Sequence, residues 1–395
     1  MASDSLPLIN LKQNRVTLLT ALSISIGMSL FLLYSIGWRQ SALFLVGLAA
    51  GLILYHAAFG FTSAWREVVS TGRSAGLRAQ MVMLAVTVLV FTPLIASGEL
   101  AGMPLRGSVA PLSLSVIVGA FIFGAGMQLG GGCASGTLYT AGGGNVRMIV
   151  TLAFFIFGSL IGTWQWELWQ SVPALQRYHL ASEIGVTGAI VASAVIFFVI
   201  WLLSSIWEKR QHGSVERIWD NKTPGNFLRG PWPLIAGALA LAAVNIATLA
   251  LAGRPWGVTG GLALWGGKIA TLMGLDITGW AYWARPGALA SLNGSIFQNV
   301  TSVMNIGIML GALLAACLAT KFSPNSKIPI ASLLAAAIGG ILMGYGARIA
   351  FGCNIGAYFG GISSTSLHGW LWFVAAFIGS ILGTRFRPVF GLSRS

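Results

Sequence analysis

The sequence is short of charge. Of its 395 residues only 8% are charged, and just 9 are acidic. Soluble globular chains carry about 25% charged residues, so this one lacks the polar surface that facing water requires. Cysteine is also scarce. There are three, two of them inside apolar, glycine-rich segments, which excludes both a disulfide framework and a zinc-ligand spacing. No GxxxxGK[ST] segment occurs, so direct coupling to ATP would need another subunit. The polar start to Arg15 leads straight into an apolar run with no small-residue cleavage pattern, and no signal peptide is expected.

What is abundant is apolar: 56% of residues are hydrophobic, with 52 glycines and 15 tryptophans. Apolar runs fall at roughly 16–36, 41–59, 77–97, 112–130, 147–166, 185–206, 231–253, 300–320, 329–350 and 369–385. At about 1.5 Å rise per residue, most can cross a hydrocarbon layer. The expected fold is an all-α polytopic membrane protein with about 9–11 embedded helices, and the lipid bilayer is its first partner. Trp164, Trp166, Trp169, Trp280, Trp283, Trp370 and Trp372 cluster at run ends, as an aromatic belt would. The stretch 256–275, broken by six glycines and Lys268, reads as a re-entrant or interfacial segment.

The formal charge of +14 does not mark a nucleic-acid binder, because the basic residues sit in short loops between apolar runs. Read as topology determinants, they place the N-terminus, the loop with Arg66, Arg73 and Arg78, and the 208–230 loop on the cytoplasmic side of a bacterial inner membrane. If 256–275 re-enters, Lys321, Lys327, Arg385 and Arg387 fall on that side too. The polar 208–230 stretch divides the chain near its middle. The expected organisation is a cytoplasmic segment 1–15, a membrane repeat 16–207, a cytoplasmic linker 208–230, a second repeat 231–388 and a tail 389–395.

Internal similarity supports that division. Residues 119–136 (GAFIFGAGMQLGGGCASG) match 339–356 (GGILMGYGARIAFGCNIG) at a constant offset of 220, pairing Gly119 with Gly339, Gly124 with Gly344, Gly126 with Gly346, Gly132 with Gly352, Cys133 with Cys353 and Gly136 with Gly356. A weaker pair joins Phe59–Ser63 to Trp256–Gly260. Each half thus carries an early Gly-Thr element and a later Gly-Cys element. The positive-inside assignment leaves Cys133 at a cytoplasmic helix end and Cys353 at an outer one. The halves are then inverted, and broken elements from opposite sides could meet near the midplane.

This combination has a chemical reading. Glycine lets backbone N–H groups turn toward a ligand, and helix N-termini favour anions. A buried thiol stays neutral and offers a weak donor on a polarizable sulfur. Such a path suits a soft, sulfur-bearing anion better than phosphate. Cys133 and Cys353 are the expected contacts, with Gly131, Gly132 and Gly352 shaping the path. Gln128 and Arg348 align under the offset and put a long polar side chain at the same position of each repeat. For Arg348 the alternative is anchoring at the outer interface. Cys317, in an Ala/Leu run, is expected to be packing.

The motifs GxGMQLGGGCASGTLYTAGGG and FGCNIGAYFGG and the tail HGWLWFVAAFIGSILG resemble the YeeE/YedE sulphur-transport family of bacterial inner-membrane proteins, over nearly all of the chain after about residue 40. The resemblance implies thiosulfate uptake along a narrow path in which cysteines pass the ion by thiol contacts. By resemblance, Cys133 and Cys353 correspond to the cysteines of the family's two Gly-Cys motifs. It also implies that a TusA-like small sulfur carrier is a conceivable partner. The family's importers carry a further early cysteine, and here Gly60 occupies the corresponding position in HAAFGFTSAWRE. No cofactor, metal or catalytic residue is expected. The rival reading is a membrane thiol enzyme, a sulfurtransferase or redox relay, which would need a base or a second thiol beside a reactive thiolate. No His, Lys or Asp lies within either motif.

Overall fold

A computed structural model describes residues 6–220, 226–324 and 327–394. The first five residues of the expected N-terminal segment, the linker cation Lys222 and the terminal Ser395 lie outside the described residues. The first half runs α1 (Leu6–Ser35), α2 (Trp38–Ala57), a short α3 (Phe61–Thr71), α4 (Ala75–Ala96), α5 (Leu114–Gly130), a short α6 (Ala134–Gly142) and α7 (Val146–Trp164). Then come α8 (Trp166–Gln170) and the long α9 (Leu180–His212). The second half runs α10 (Leu234–Ala252), a short α11 (Thr259–Leu272), α12 (Pro286–Asn293), α13 (Val300–Leu318) and α14 (Ile330–Ile349). A π-helix (Asn354–Phe359) then runs into α15 (Gly360–Ser363), and α16 (Leu367–Phe386) follows. Among the described residues, ten helices are long and apolar enough to cross a membrane, namely α1, α2, α4, α5, α7, α9, α10, α13, α14 and α16. Helices satisfy their own backbone polar groups, the condition for crossing hydrocarbon.

The packing of these helices is set by glycine. A Cβ on Gly119 would lie 2.8 Å from the Gly346 carbonyl oxygen, and one on Gly126 would lie 2.9 Å from that of Gly339. The helices α5 and α14 therefore cross antiparallel with their backbones in contact, the approach that small residues allow between membrane helices. Under the offset of 220 each of these two contacts maps onto the other. The neighbours repeat the pattern. Gly158 and Gly344 let α7 onto α14, and Gly124 and Gly379 let α16 onto α5, each meeting a facing backbone carbonyl.

Tertiary contacts sort the loops onto two ends of the bundle. At one end, Arg73 and Arg78 bind Glu208, His212 meets the Thr71 carbonyl, and Arg387 donates to the Gln128 carbonyl. Arg147, Lys321 and Lys327 share a cavity rim there. At the other end, Gln40 meets Phe297, Ser113 bridges to Ala174, His179 bridges to Ser366, and Arg254 meets Thr301. Both flanks of α11 lie at this second end, so its segment returns to the end it came from. Trp283 and Trp372, read from sequence as belt residues, are instead buried. The Trp283 indole donates to Thr163, and Trp372 packs on Phe123 with ring centroids 5.4 Å apart. Position at a run end does not tell which face of the helix the ring takes.

Glu208 fastens the basic end. It is fully buried and accepts from Arg78 at 2.8 Å, Arg73 at 3.3 Å, the Ser74 hydroxyl at 2.7 Å and the Glu216 backbone at 2.9 Å. Glu208→Ala would leave Arg78, itself 3% exposed, without its carboxylate. A cost of about 2 kcal/mol is expected, given about 1.5–3 kcal/mol for a hydrogen bond to a charged group. It is measured as a lower unfolding temperature in detergent, with faster proteolysis of the 214–220 segment that Glu208 ties down.

Candidate functional site

Four short helical segments begin inside the bundle rather than at its surface. Each follows a spanning helix across a break that contains glycine: Ala58–Gly60 before α3, Gly131–Cys133 before α6, Gly253–Val258 before α11, and Ala350–Cys353 before the π-helix. The first two segments return to the basic end and the last two to the opposite end. Their N-termini therefore point inward, which directs unsatisfied N–H groups and the positive ends of helix dipoles at the interior. Side chains tie them together. Phe61 of α3 meets Tyr358 of the π-helix edge to face at 5.8 Å, α6 touches the π-helix, and Pro255 packs against Gly360.

The two Gly-Cys breaks are built alike. Cys133 caps α6, its sulfur accepting from the Gly136 N–H at 3.4 Å and lying 3.4 Å from the Ser135 hydroxyl. Cys353 occupies the same capping position before the π-helix. A Cβ on Gly132 would lie 3.1 Å from the Gly136 carbonyl carbon, and one on Gly352 would lie 2.8 Å from the Ala357 nitrogen. In both halves the chain folds back onto the turn that follows, leaving no room for a side chain before the thiol. Gly131 closes α5 at φ 93, and Phe351 precedes Gly352 at φ 60, a left-handed conformation that costs a non-glycine residue about 1–2 kcal/mol. The thiols are 2% and 0% exposed. They enter from opposite ends, and the short helices that they cap touch each other. Neither has a charged hydrogen-bonding partner among the described residues.

Around them lie buried polar atoms with no partner among the described residues: both side-chain atoms of Asn354, the Trp256 indole nitrogen, and the hydroxyls of Thr62 and Thr137. Asn354 has a signal visible in sequence, an asparagine directly after the cysteine of an apolar run. Asn293, Asn299 and Asn305 recur every six residues, which is neither a helical nor a strand period. Asn299 caps α13, and Asn305 donates to the Val258 carbonyl at 3.0 Å, pinning the start of α11.

The remaining candidates separate. Gln128 is fully buried and donates to the Thr62 carbonyl at 3.1 Å and the Ser380 hydroxyl at 2.6 Å, joining α5 to α3 and α16. Arg348 turns away from the thiols. It donates to the Tyr282 hydroxyl at 2.6 Å and lies 5.1 Å from that ring's centroid. Equivalent positions thus serve different partners, because the loop facing α14 carries Tyr282 and the first half has no counterpart. Gly60 caps α3 and lines a cavity of about 690 Å³ with Ser63, Glu67, Gln80 and Trp232 at the basic end. Cys317 is packed in α13. Lys268 donates to the Leu292 and Gly294 carbonyls, a loop-fastening role.

Comparison with known proteins bears on this arrangement. The sequence model of the family described as "Sulphur transport" matches residues 56–382, which takes in all four short segments. A probable transporter, YedE, of Escherichia coli K12 is 35% identical over 164 residues, covering 40% of this chain and 39% of that protein. The thiosulfate transporter TsuA of Spirochaeta thermophila is 28% identical over 341 residues, 83% of this chain and 92% of that one. TsuA of Escherichia coli K12 is 26% identical over 365 residues, 84% and 90% of the two chains. The match to the YedE protein thus spans about two-fifths of its length, whereas both TsuA proteins are matched nearly end to end.

Proposed function

This chain belongs to the sulphur transport family, and we propose that it is a permease importing thiosulfate, or a closely related small sulfur anion, past Cys133 and then Cys353 or in the reverse order. The observation that carries the reading is the convergence of two neutral thiols, each capping a helix start, from opposite ends of the bundle. Inward helix N-termini favour an anion without placing a full positive charge that would trap it. Unpartnered donors on Asn354 and Trp256 are available to sulfonate oxygens, while the sulfur end meets a soft thiol. Among the described residues the only side-chain partner of Cys133 is the Ser135 hydroxyl, which cannot hold a thiolate as a base or cation would. That favours carriage over sulfur-transfer chemistry.

The reciprocal Gly119–Gly346 and Gly126–Gly339 contacts support two halves of opposite orientation, related by a pseudo-two-fold axis that passes between α5 and α14, across their length. By the positive-inside rule the end with Arg73, Lys209, Lys321 and Arg385 faces the cytoplasm, in a bacterial inner membrane. The cavity at Gly60 is then the cytoplasmic mouth, where a TusA-like sulfur carrier would collect the ion. The test is uptake of labelled thiosulfate into proteoliposomes of the purified chain. No accumulation above protein-free vesicles would sink the proposal.

Gly60 supplies a gain-of-contact test. Its backbone is extended, and a Cβ there would meet only the rotatable Ser63 hydroxyl closely, at 2.6 Å. Gly60→Cys should fold normally and restore a third thiol at the mouth. An added contact of about 0.5–1.5 kcal/mol is expected to lower the half-saturating thiosulfate concentration about two- to tenfold in the same uptake assay.

A further inference from the structure

Gln80 is the sixth residue of α4 and is fully buried. Its side-chain oxygen accepts from the Trp65 indole N–H at 3.1 Å and from the Tyr358 hydroxyl at 3.4 Å. An indole nitrogen can only donate. The amide orientation is therefore fixed, with the oxygen toward Trp65 and the NH2 group away from it. That NH2 group has no partner among the described residues. A sealed, unpaired donor is costly, and this one is held rigidly by two aromatic residues.

The equivalent position in the other half makes the case sharper. Asn305 is the sixth residue of α13, as Gln80 is of α4, and each carboxamide lies against the early short helix of its half. Asn305 donates to the Val258 carbonyl at the start of α11. Gln80 makes no such bond to α3, because Trp65 and Tyr358 hold its oxygen and turn the donor elsewhere. Gln80 touches Tyr358, in the π-helix that Cys353 caps, and lines the 690 Å³ cavity together with Gly60.

We propose that the Gln80 amide is an anion-binding group at the inner end of the path, receiving the oxygens of the transported sulfur oxyanion between the Cys353 element and the cavity. This rests on the permease reading above. An amide NH2 offers a cation nothing, and it binds an anion without the net charge that would retain it. Among the described residues the cavity lining carries Glu67, Glu216 and Asp220 against Arg217, so an anion leaving Gln80 meets an acidic lining. The amide is the last favourable contact before release, and it sets selectivity on the inner side.

The test is Gln80→Glu in proteoliposomes, with Gln80→Met as the second variant. Glutamate keeps the shape and the acceptor for Trp65 and Tyr358, and replaces only the donor. Uptake of labelled thiosulfate relative to wild type is expected to fall at least about tenfold for Gln80→Glu at neutral pH, as loss of a hydrogen bond to a charged ligand implies. It should recover as the pH is lowered from about 8 to about 5.5, because a protonated carboxyl donates again. Gln80→Met should fall similarly and show no recovery. A purely structural role would not produce that difference in pH response. Wild-type rates in either correctly folded variant, at every pH, would overturn the assignment of Gln80 while leaving the permease reading intact. Absence of uptake by wild type itself would overturn both.

Discussion

Cys353→Ala is expected to lower the initial rate of thiosulfate uptake by at least about two orders of magnitude, and Cys133→Ala to do the same. Each thiol caps a separate short helix in a buried interior, so on the proposed path the ion would meet them in series and neither could compensate for the other. A hundredfold loss corresponds to about 2.7 kcal/mol, within the range for one contact to a charged ligand lost in a desolvated site. Alanine also removes the Cys133 cap to the Gly136 N–H, but a weak sulfur acceptor at 3.4 Å contributes little to folding. Cell growth with thiosulfate as the only sulfur source gives a second readout, in a host without other uptake routes. Cys317→Ala, in the packed interior of α13, should grow as wild type does. Normal growth of both motif variants would end the thiol-path account.

The second large effect concerns folding. Gly346→Leu should abolish recovery of monodisperse protein from detergent, and so should Gly339→Leu. A Cβ at Gly346 runs into the Gly119 carbonyl, and one at Gly339 into the Gly130 nitrogen. These are backbone atoms that cannot rotate aside, so α5 and α14 must separate and carry α7 and α16 with them. Overpacking usually costs about 1–3 kcal/mol; at a crossing shared by four helices the cost should exceed that range. The offset repeat adds a symmetric control. Gly119→Leu should resemble Gly339→Leu, and Gly126→Leu should resemble Gly346→Leu, because each pair occupies equivalent places in one reciprocal contact. Size-exclusion profiles of the four variants decide it. Leucine tolerated at one member of a pair and not at the other would contradict the equivalence.

Much of this architecture was legible because the bilayer imposes a length and a composition. The apolar runs anticipate the spanning helices to within a few residues, and the glycine register of the 220-residue repeat turns out to be the register of the α5–α14 crossing. The extent of the short helices was harder to read. Phe61–Thr71 carries Arg66 and Glu67 and reads as a charged loop, yet it is a helix whose first turn is buried. Side-chain direction was not legible at all. Arg348 and Gln128 align in sequence, but Arg348 is drawn to Tyr282 by a loop that belongs to the second half alone. Gln80 gave no sequence signal, because one glutamine in an apolar helix is only a satisfied polar group until its donor is found unpaired. Asn354 follows the motif cysteine in plain view, but that its side chain is buried without a partner among the described residues shows only in the folded chain.

The most direct test of the central claim follows both sulfur atoms of thiosulfate, each separately labelled, into proteoliposomes containing only this chain. The account expects the two labels to accumulate together in their original ratio with wild-type protein, and neither to accumulate with the Cys133→Ala/Cys353→Ala double variant. Arrival of one label without the other, or equal accumulation by the double variant, would contradict it.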